Sequence, residues 1–213
     1  MKQITVDIFS FSELQPDVKK RVLEKHRYVE VDDTNWYRFE LMAFTELCSL
    51  LGILTSPEQI FFSGFYHQGA GSTFRCTINV LEMVKAVSQK VWEKEDFRKI
   101  HFTACPCQPR ILQQIEKGNI DCRFFTCIPN RGYYIDLHED HRFHLLSNGS
   151  NIERELLILF DWIKRNINEL NTHLYQSLQS IYEGLTSDEA VADFLEANEW
   201  AFTCDGRLAN HLV

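Results

Sequence analysis

The chain has 213 residues, 45% of them hydrophobic and 13% aromatic, and a formal net charge of −8 at pH 7. That length and apolar content predict a single domain over residues 1–213 with one sizeable core, and the acidic balance argues against a general nucleic-acid binder, whose phosphate contacts demand a basic surface. No run approaches the about 20 apolar residues of a membrane span, the first nine residues carry one lysine and no apolar stretch of a signal peptide, and seven irregularly spaced cysteines fit reduced thiols without a structural metal, so the expectation is a soluble cytoplasmic protein.

Residues 2 to 9 alternate Ile4, Val6 and Ile8 with Thr5 and Asp7, the pattern of an opening strand. Pro16 suits a first helical turn, and Val18, Val22 and Leu23 give residues 16–27 a short amphipathic stripe. Asp33 or Thr34 can cap a second helix in which Trp36, Phe39, Ala43, Phe44, Leu47, Leu50 and Leu51 recur until Gly52. Phe39 and Phe44 are expected in the core.

Residues 61–74 set a polar, glycine-rich turn between two β-favouring runs. After it, Phe74, Cys76, Ile78 and Val80 alternate with Thr73, Arg75, Thr77 and Asn79, as in a half-buried strand. A tight hairpin needs only two to five loop residues. This connection carries Tyr66, His67, Gln68 and Ser72 with Gly64, Gly69 and Gly71, and backbone at glycine can approach a ligand closely. A wide hairpin with purely geometric glycines explains the same residues.

Val80, Val84, Val87 and Val91 mark a third helix to about Lys99, and a short helix over residues 109–117 stops at Gly118. A strand over residues 120–128 precedes the turn Pro129-Asn130-Arg131-Gly132. Residues 133–137 and 142–146 read as two further strands. Ser150 and Glu153 form a capping-box pair opening a helix of more than 30 residues to Gly184, striped by Ile152, Leu156, Phe160, Ile163, Ile167, Leu170, Leu174, Leu178 and Ile181. Thr186 and Glu189 form a second such pair, and Trp200 to Thr203 reads as a terminal strand. The fold class predicted is α+β, a central antiparallel sheet packed by several helices including one long C-terminal helix. That helix's stripe exceeds what one small sheet covers, which predicts a homo-oligomer.

His138-Glu139-Asp140-His141 with His144 offers imidazole and carboxylate ligands. Its His-x-Asp-His order is similar to part of the metal-binding signature of metallo-β-lactamase-type hydrolases, although Asp136 stands where that signature has a histidine. A solvated turn between strands accounts for the same residues, and is preferred. His101, Cys105, Cys107, Cys122 and Cys127 lack paired Cys-x-x-Cys spacing, and Cys122 shares strand parity with Ile120 and Phe124, where a thiol behaves as a small apolar group. No nucleophile elbow, Walker loop or dinucleotide fingerprint occurs. Neither a cofactor nor a catalytic residue is assigned.

The opening Ile-Thr-Val-x-Ile-Phe-x-Phe-x-Glu-Leu, the loop Ser63-Gly64-Phe65-Tyr66-His67-Gln68-Gly69-Ala70-Gly71, and the closing Leu185-Thr186-Ser187-Asp188-Glu189-Ala190 and Ala197-Asn198-Glu199-Trp200-Ala201-Phe202-Thr203 together resemble a family of phage and prophage proteins labelled "antitoxin of toxin–antitoxin stability system". Tyr66, His67 and Ala70 depart from that family's loop, where a tryptophan, a serine and an aspartate stand. Without an acid at position 70 the loop is a neutral, donor-rich cradle, suited to phosphate more than to a cation.

The resemblance implies a phage-encoded protein acting against host defence in the host cytoplasm. One expectation is a pocket of Trp36, Ser63, Gly64, Tyr66, His67, Gln68, Gly69, Gly71, Ser72 and Arg75 that sequesters a small nucleotide-like immune signal, with aromatics stacking the base and loop N–H groups holding phosphate. The alternative is an acidic, antitoxin-like inhibitor that blocks a host protein. A metal-dependent hydrolase of such a signal ranks third.

Overall fold

The computed structural model describes residues 6–94, 100–143 and 149–210. The chain is α+β, with antiparallel sheets packed by helices and one long C-terminal helix. It divides into two compact units, Met1–Tyr37 with Gln179–Val213, and Arg38–Leu178.

In the first unit, β1 (Phe9–Ser10) pairs antiparallel with β8 (Ala201–Phe202). The strand expected over residues 2–9 is thus confined, among the described residues, to its end, and residues 1–5 lie outside them. α1 (Pro16–His26) begins at its proline as expected, because an N–H is dispensable in the first turn. Val18 and Val22 bury one face of α1 against Val191 and Leu195 of α6 (Asp188–Ala197), with Phe11, Leu14 and Phe202 completing the cluster. The cap of α6 is Ser187, whose hydroxyl accepts from Ala190 N at 3.1 Å. Thr186 does not fill that role, because its hydroxyl donates back to Tyr182 O at 2.7 Å. Arg27 fastens this corner, donating to Thr186 O at 2.9 Å and to Asp188 at 2.8 Å.

In the second unit, α2 (Arg38–Leu50) starts after Trp36; Asp33, in the first unit, instead accepts from Asn35 N at 2.8 Å. Its buried face is Leu41, Phe44, Leu47 and Cys48, whereas Phe39 is 80% exposed. Phe39 was expected in the core. At ~100° per residue it lies roughly 200° round the helix from Leu41, on the face turned to solvent. β2 (Ile53–Leu54), β5 (Cys76–Ile78), β6 (Ile120–Cys127) and β7 (Asp136–Phe143) form a four-stranded antiparallel sheet in that order, and β3 (Ile60–Phe62) pairs with β4 (Ser72–Phe74) separately. The alternating run after the loop therefore changes sheets at Arg75. There Thr126 Oγ1 donates to Phe74 O and accepts from Cys76 N at 2.9 Å, while Arg75 N reaches Gln59 O at 2.9 Å. Those bonds satisfy backbone groups that the change of partner would otherwise leave buried and unpaired.

α3 (Val80–Gln89) ends at Lys90 in the left-handed region, and the rest of the helix expected to Lys99 is a 3-10 turn at Val91–Lys94 with residues 95–99 outside the described ones. α4 (Pro109–Glu116) stops before Gly118 as expected. Where two strands were read across residues 133–146, β7 is one strand paired with β6 at eight positions, from Ile120↔Phe143 to Cys127↔Asp136.

α5 (Gly149–Leu185) has 37 residues. Its stripe is covered by the chain's own elements, with Ile163, Ile167, Leu170 and Leu174 fully buried and Phe160 set against Phe124 at 6.4 Å between ring centroids. The expected homo-oligomer was argued from an uncovered stripe, and that reason fails. Ser150's side chain, half of the expected capping box, lies outside the described ones. Among the described residues no helix is long and apolar enough to cross a membrane.

Candidate functional site

The glycine-rich segment closes the β3–β4 hairpin, as its flanking β patterns predict. The register Phe62↔Ser72 leaves Ser63 to Gly71 as the connection, and the neck is tied twice, by Ser63 N to Gly71 O at 3.0 Å and by Gly71 N to Ser63 Oγ at 3.1 Å. At the tip Ala70 N bonds His67 O at 3.1 Å, with Gly69 at φ +86° in the third turn position, the left-handed geometry glycine adopts without cost. Phe65 anchors the loop by tucking its ring beside Phe62 and Tyr175, at 6.3 and 5.4 Å between centroids. Tyr175 also donates to Gly64 O at 3.4 Å, and burial pushes its phenol pKa up.

Ser72 and Gly71 belong to this anchoring. Ser72 is 1% exposed, and its hydroxyl donates to Asn171 Oδ1 at 2.8 Å while Asn171 Nδ2 donates to Ser72 O at 2.8 Å. A Cβ on Gly71 would stand 2.7 Å from Tyr133 O, so this glycine permits close approach of one loop to another. Gly64, Tyr66, His67, Gln68 and Gly69 form the exposed surface, and Ser63 is half-buried at the neck. Tyr66 is 71% exposed and held at φ +67°, a conformation costing a non-glycine residue roughly 1–2 kcal/mol. Strain of this kind collects at functional positions. Arg75 is exposed at the opposite end of β4 from the loop. Trp36 belongs to the other unit, packed on Tyr37 and Tyr182 at 5.1 and 5.9 Å.

The sequence reading missed what lies beside the loop. Gly71 meets Tyr133, and Thr73 Oγ1 donates to Tyr134 O at 2.8 Å, so residues 130–134 join the hairpin at its base. Tyr133 and Tyr134 are 40% and 54% exposed, and Arg131 is exposed with them. Neither segment 59–81 nor segment 122–135 contains an Asp or Glu, although the chain has 30. A tyrosine-bearing, arginine-containing surface therefore stands on an acidic protein. Its signal was the Tyr-Tyr pair following the Pro129–Gly132 turn, read only as the start of a strand over residues 133–137, whereas β7 begins at Asp136.

The histidine cluster lies within β7, so the expected turn is instead continuous strand. Alternation puts His138 and Asp140 on one face and Glu139 and His141 on the other. His138 stacks on Phe125 at 5.6 Å and contacts Asp136 at 3.1 Å, whereas His141 Nδ1 stands 3.9 Å from Glu139. His144 lies outside the described residues. The seven cysteines are free thiols, and burial pushes Cys76 and Cys122 up to about 11 and Cys107 up to about 12. Among the described residues no group of three or more His, Cys, Asp or Glu side chains is placed to hold a metal ion.

The chain belongs to the family described as Domain of unknown function (DUF8835), which matches residues 36–188. That span contains both loops. No curated protein and no solved structure matches the chain.

Proposed function

We propose that this is a phage-encoded binding protein that counters host defence by sequestering a nucleotide-derived signal on the surface formed by residues 64–69 and 130–134. The observation that carries the reading is the joining of the two loops at Gly71 and Tyr133, which sets the exposed Tyr133 and Tyr134 against the hairpin that carries Tyr66, in acid-free segments that also contain Arg131. Exposed rings offer stacking surfaces to bases, worth roughly 1–3 kcal/mol each, and a guanidinium matches phosphate oxygens in pairs. The open backbone at Gly69, with nothing within 4 Å of a Cβ there, leaves room for a phosphate near the tip.

Mass spectrometry of small molecules released by heating the purified protein tests this, followed by calorimetry with cyclic dinucleotides and ADP-ribose. Retention of a nucleotide, weakened at least about tenfold by Tyr66→Ala or Arg131→Gln, supports the reading. Absence of both a retained nucleotide and any binding heat counts against it. A second reading, blockage of a host protein, draws on the same loops, whose Tyr, Gly, Ser and Asn content is that of protein-binding loops. It predicts capture of a protein partner with sensitivity to Tyr66→Ala and no nucleotide.

A further inference from the structure

A groove of about 560 Å³ opens in the first unit, away from either loop in sequence, between residues 8–12 and 195–201. Both walls lie outside the span matched by the family. Its apolar lining includes Phe9, Phe11, Leu195 and Trp200, and its rim carries Glu196 and Glu199. Both carboxylates are exposed, and among the described residues neither has a salt-bridge partner. The groove follows β1, which pairs only with β8 among the described residues.

Glu199 has a second distinction. α6 closes with Glu199 N bonded to Glu196 O and Trp200 N to Leu195 O, both at 3.0 Å, and Glu199 sits at φ +52°. Helix ends of this kind ordinarily place Gly or Asn there. A glutamate accepts left-handed strain that a glycine would avoid, at a position that lines an apolar trough.

We propose that the groove is a second binding site, taking an extended basic segment of a partner protein. A lysine or arginine head would meet Glu196 and Glu199, while its aliphatic stem and an apolar neighbour lie on Trp200 and Phe9. The extended form suits a trough lined by residues 8–12 on one side and 195–201 on the other, and the unmatched carboxylates select against acidic chains.

The test uses the full chain and capped hexapeptides alternating leucine with arginine, beside versions carrying glutamine or glutamate in place of arginine, with binding read by fluorescence anisotropy. The arginine peptide is expected to bind, more weakly as salt rises, and the glutamate peptide not to bind. Glu196→Gln should weaken binding about tenfold, the loss typical of one charge-assisted contact. Glu199→Gly should do the same while raising the melting temperature, because glycine relieves the backbone strain. That combination separates loss of the site from loss of the fold. Binding unchanged in a Glu199→Gly protein of raised melting temperature overturns the proposal. So does equal binding of the arginine and glutamine peptides, absence of binding by the arginine peptide, or binding of spermidine without the peptide.

Discussion

Ser72 and Asn171 are bonded in both directions, hydroxyl to amide oxygen and amide nitrogen to carbonyl, each at 2.8 Å and across 99 residues of sequence. The pair ties the base of the glycine-rich hairpin to α5. With Ser72 buried at 1% exposure, Asn171→Ala takes the amide donor from Ser72 O and leaves the hydroxyl only its longer bond to the backbone oxygen of residue 171, at 3.1 Å, and an unsatisfied buried polar group costs about 1–3 kcal/mol. Urea denaturation is expected to show that loss. A double-mutant cycle with Ser72→Ala should be non-additive, and strict additivity would show that the pair makes no joint contribution.

Gly71 and Gly69 should respond differently to alanine. At Gly71 the new Cβ meets Tyr133 O at 2.7 Å, so backbone must move and the joint between the loops opens; at Gly69 the space is empty and only the positive φ opposes the change. Gly69→Ala is expected to cost about 1 kcal/mol and leave the Tyr133 and Tyr134 environment intact. Gly71→Ala is expected to cost more and to shift the NMR signals of Thr73 and Tyr134. Equal losses would falsify the close-approach account.

Tyr66 separates stability from binding. Tyr66→Gly removes left-handed strain and should hold or raise the unfolding free energy, by up to about 1 kcal/mol, whereas Tyr66→Ala keeps most of the strain. Both should lose nucleotide retention. A glycine variant clearly less stable than wild type would mean that the ring supports the fold instead of reaching a ligand.

His26 gives the first unit a pH dependence. Burial, with Lys25 adding repulsion, lowers its pKa, and the ring packs edge-on to Trp200 at 5.1 Å with Nε2 buried and without a hydrogen-bond partner. A histidine whose folded pKa is depressed binds its proton more readily when unfolded. Its contribution is therefore fully present above the unfolded value of about 6.5 and is lost as pH falls from there through the folded value. Thermal melts should show stability declining on acidification through that window, and His26→Phe should flatten the decline. An unchanged slope in the variant would assign the pH dependence to other groups.

Leu170 is fully buried within α5. Leu170→Glu puts an unpaired carboxylate into the core, a cost of several kcal/mol, so circular dichroism should show loss of cooperative folding. A folded Leu170→Glu protein of altered mass in light scattering would place this residue in an interface instead.

Much of the fold was legible in local signals. Pro16 starts α1, Gly118 follows α4, and a hairpin encloses the glycine-rich loop because proline, glycine and alternating apolar runs restrict backbone geometry wherever they stand. The long α5 was equally plain from its stripe. Burial was less legible, since it depends on which elements meet: Phe39 and Phe44 carry the same side chain on one helix, yet only the face with Phe44 finds a neighbour, Phe74 at 5.2 Å. The histidine run of β7 looked like a cluster in sequence, and strand alternation divides it between two faces. Ser72 carried the chemistry of a ligand contact until Asn171, 99 residues away, took up its hydroxyl, and Tyr133 and Tyr134 gained their place beside the loop only through the approach of Gly71. Local residue types determined this protein's helices, turns and much of its strand pattern, because backbone preference acts over a few residues; which polar groups face solvent was decided by tertiary contacts, because a hydrogen bond or a buried face is shared between segments that sequence keeps apart.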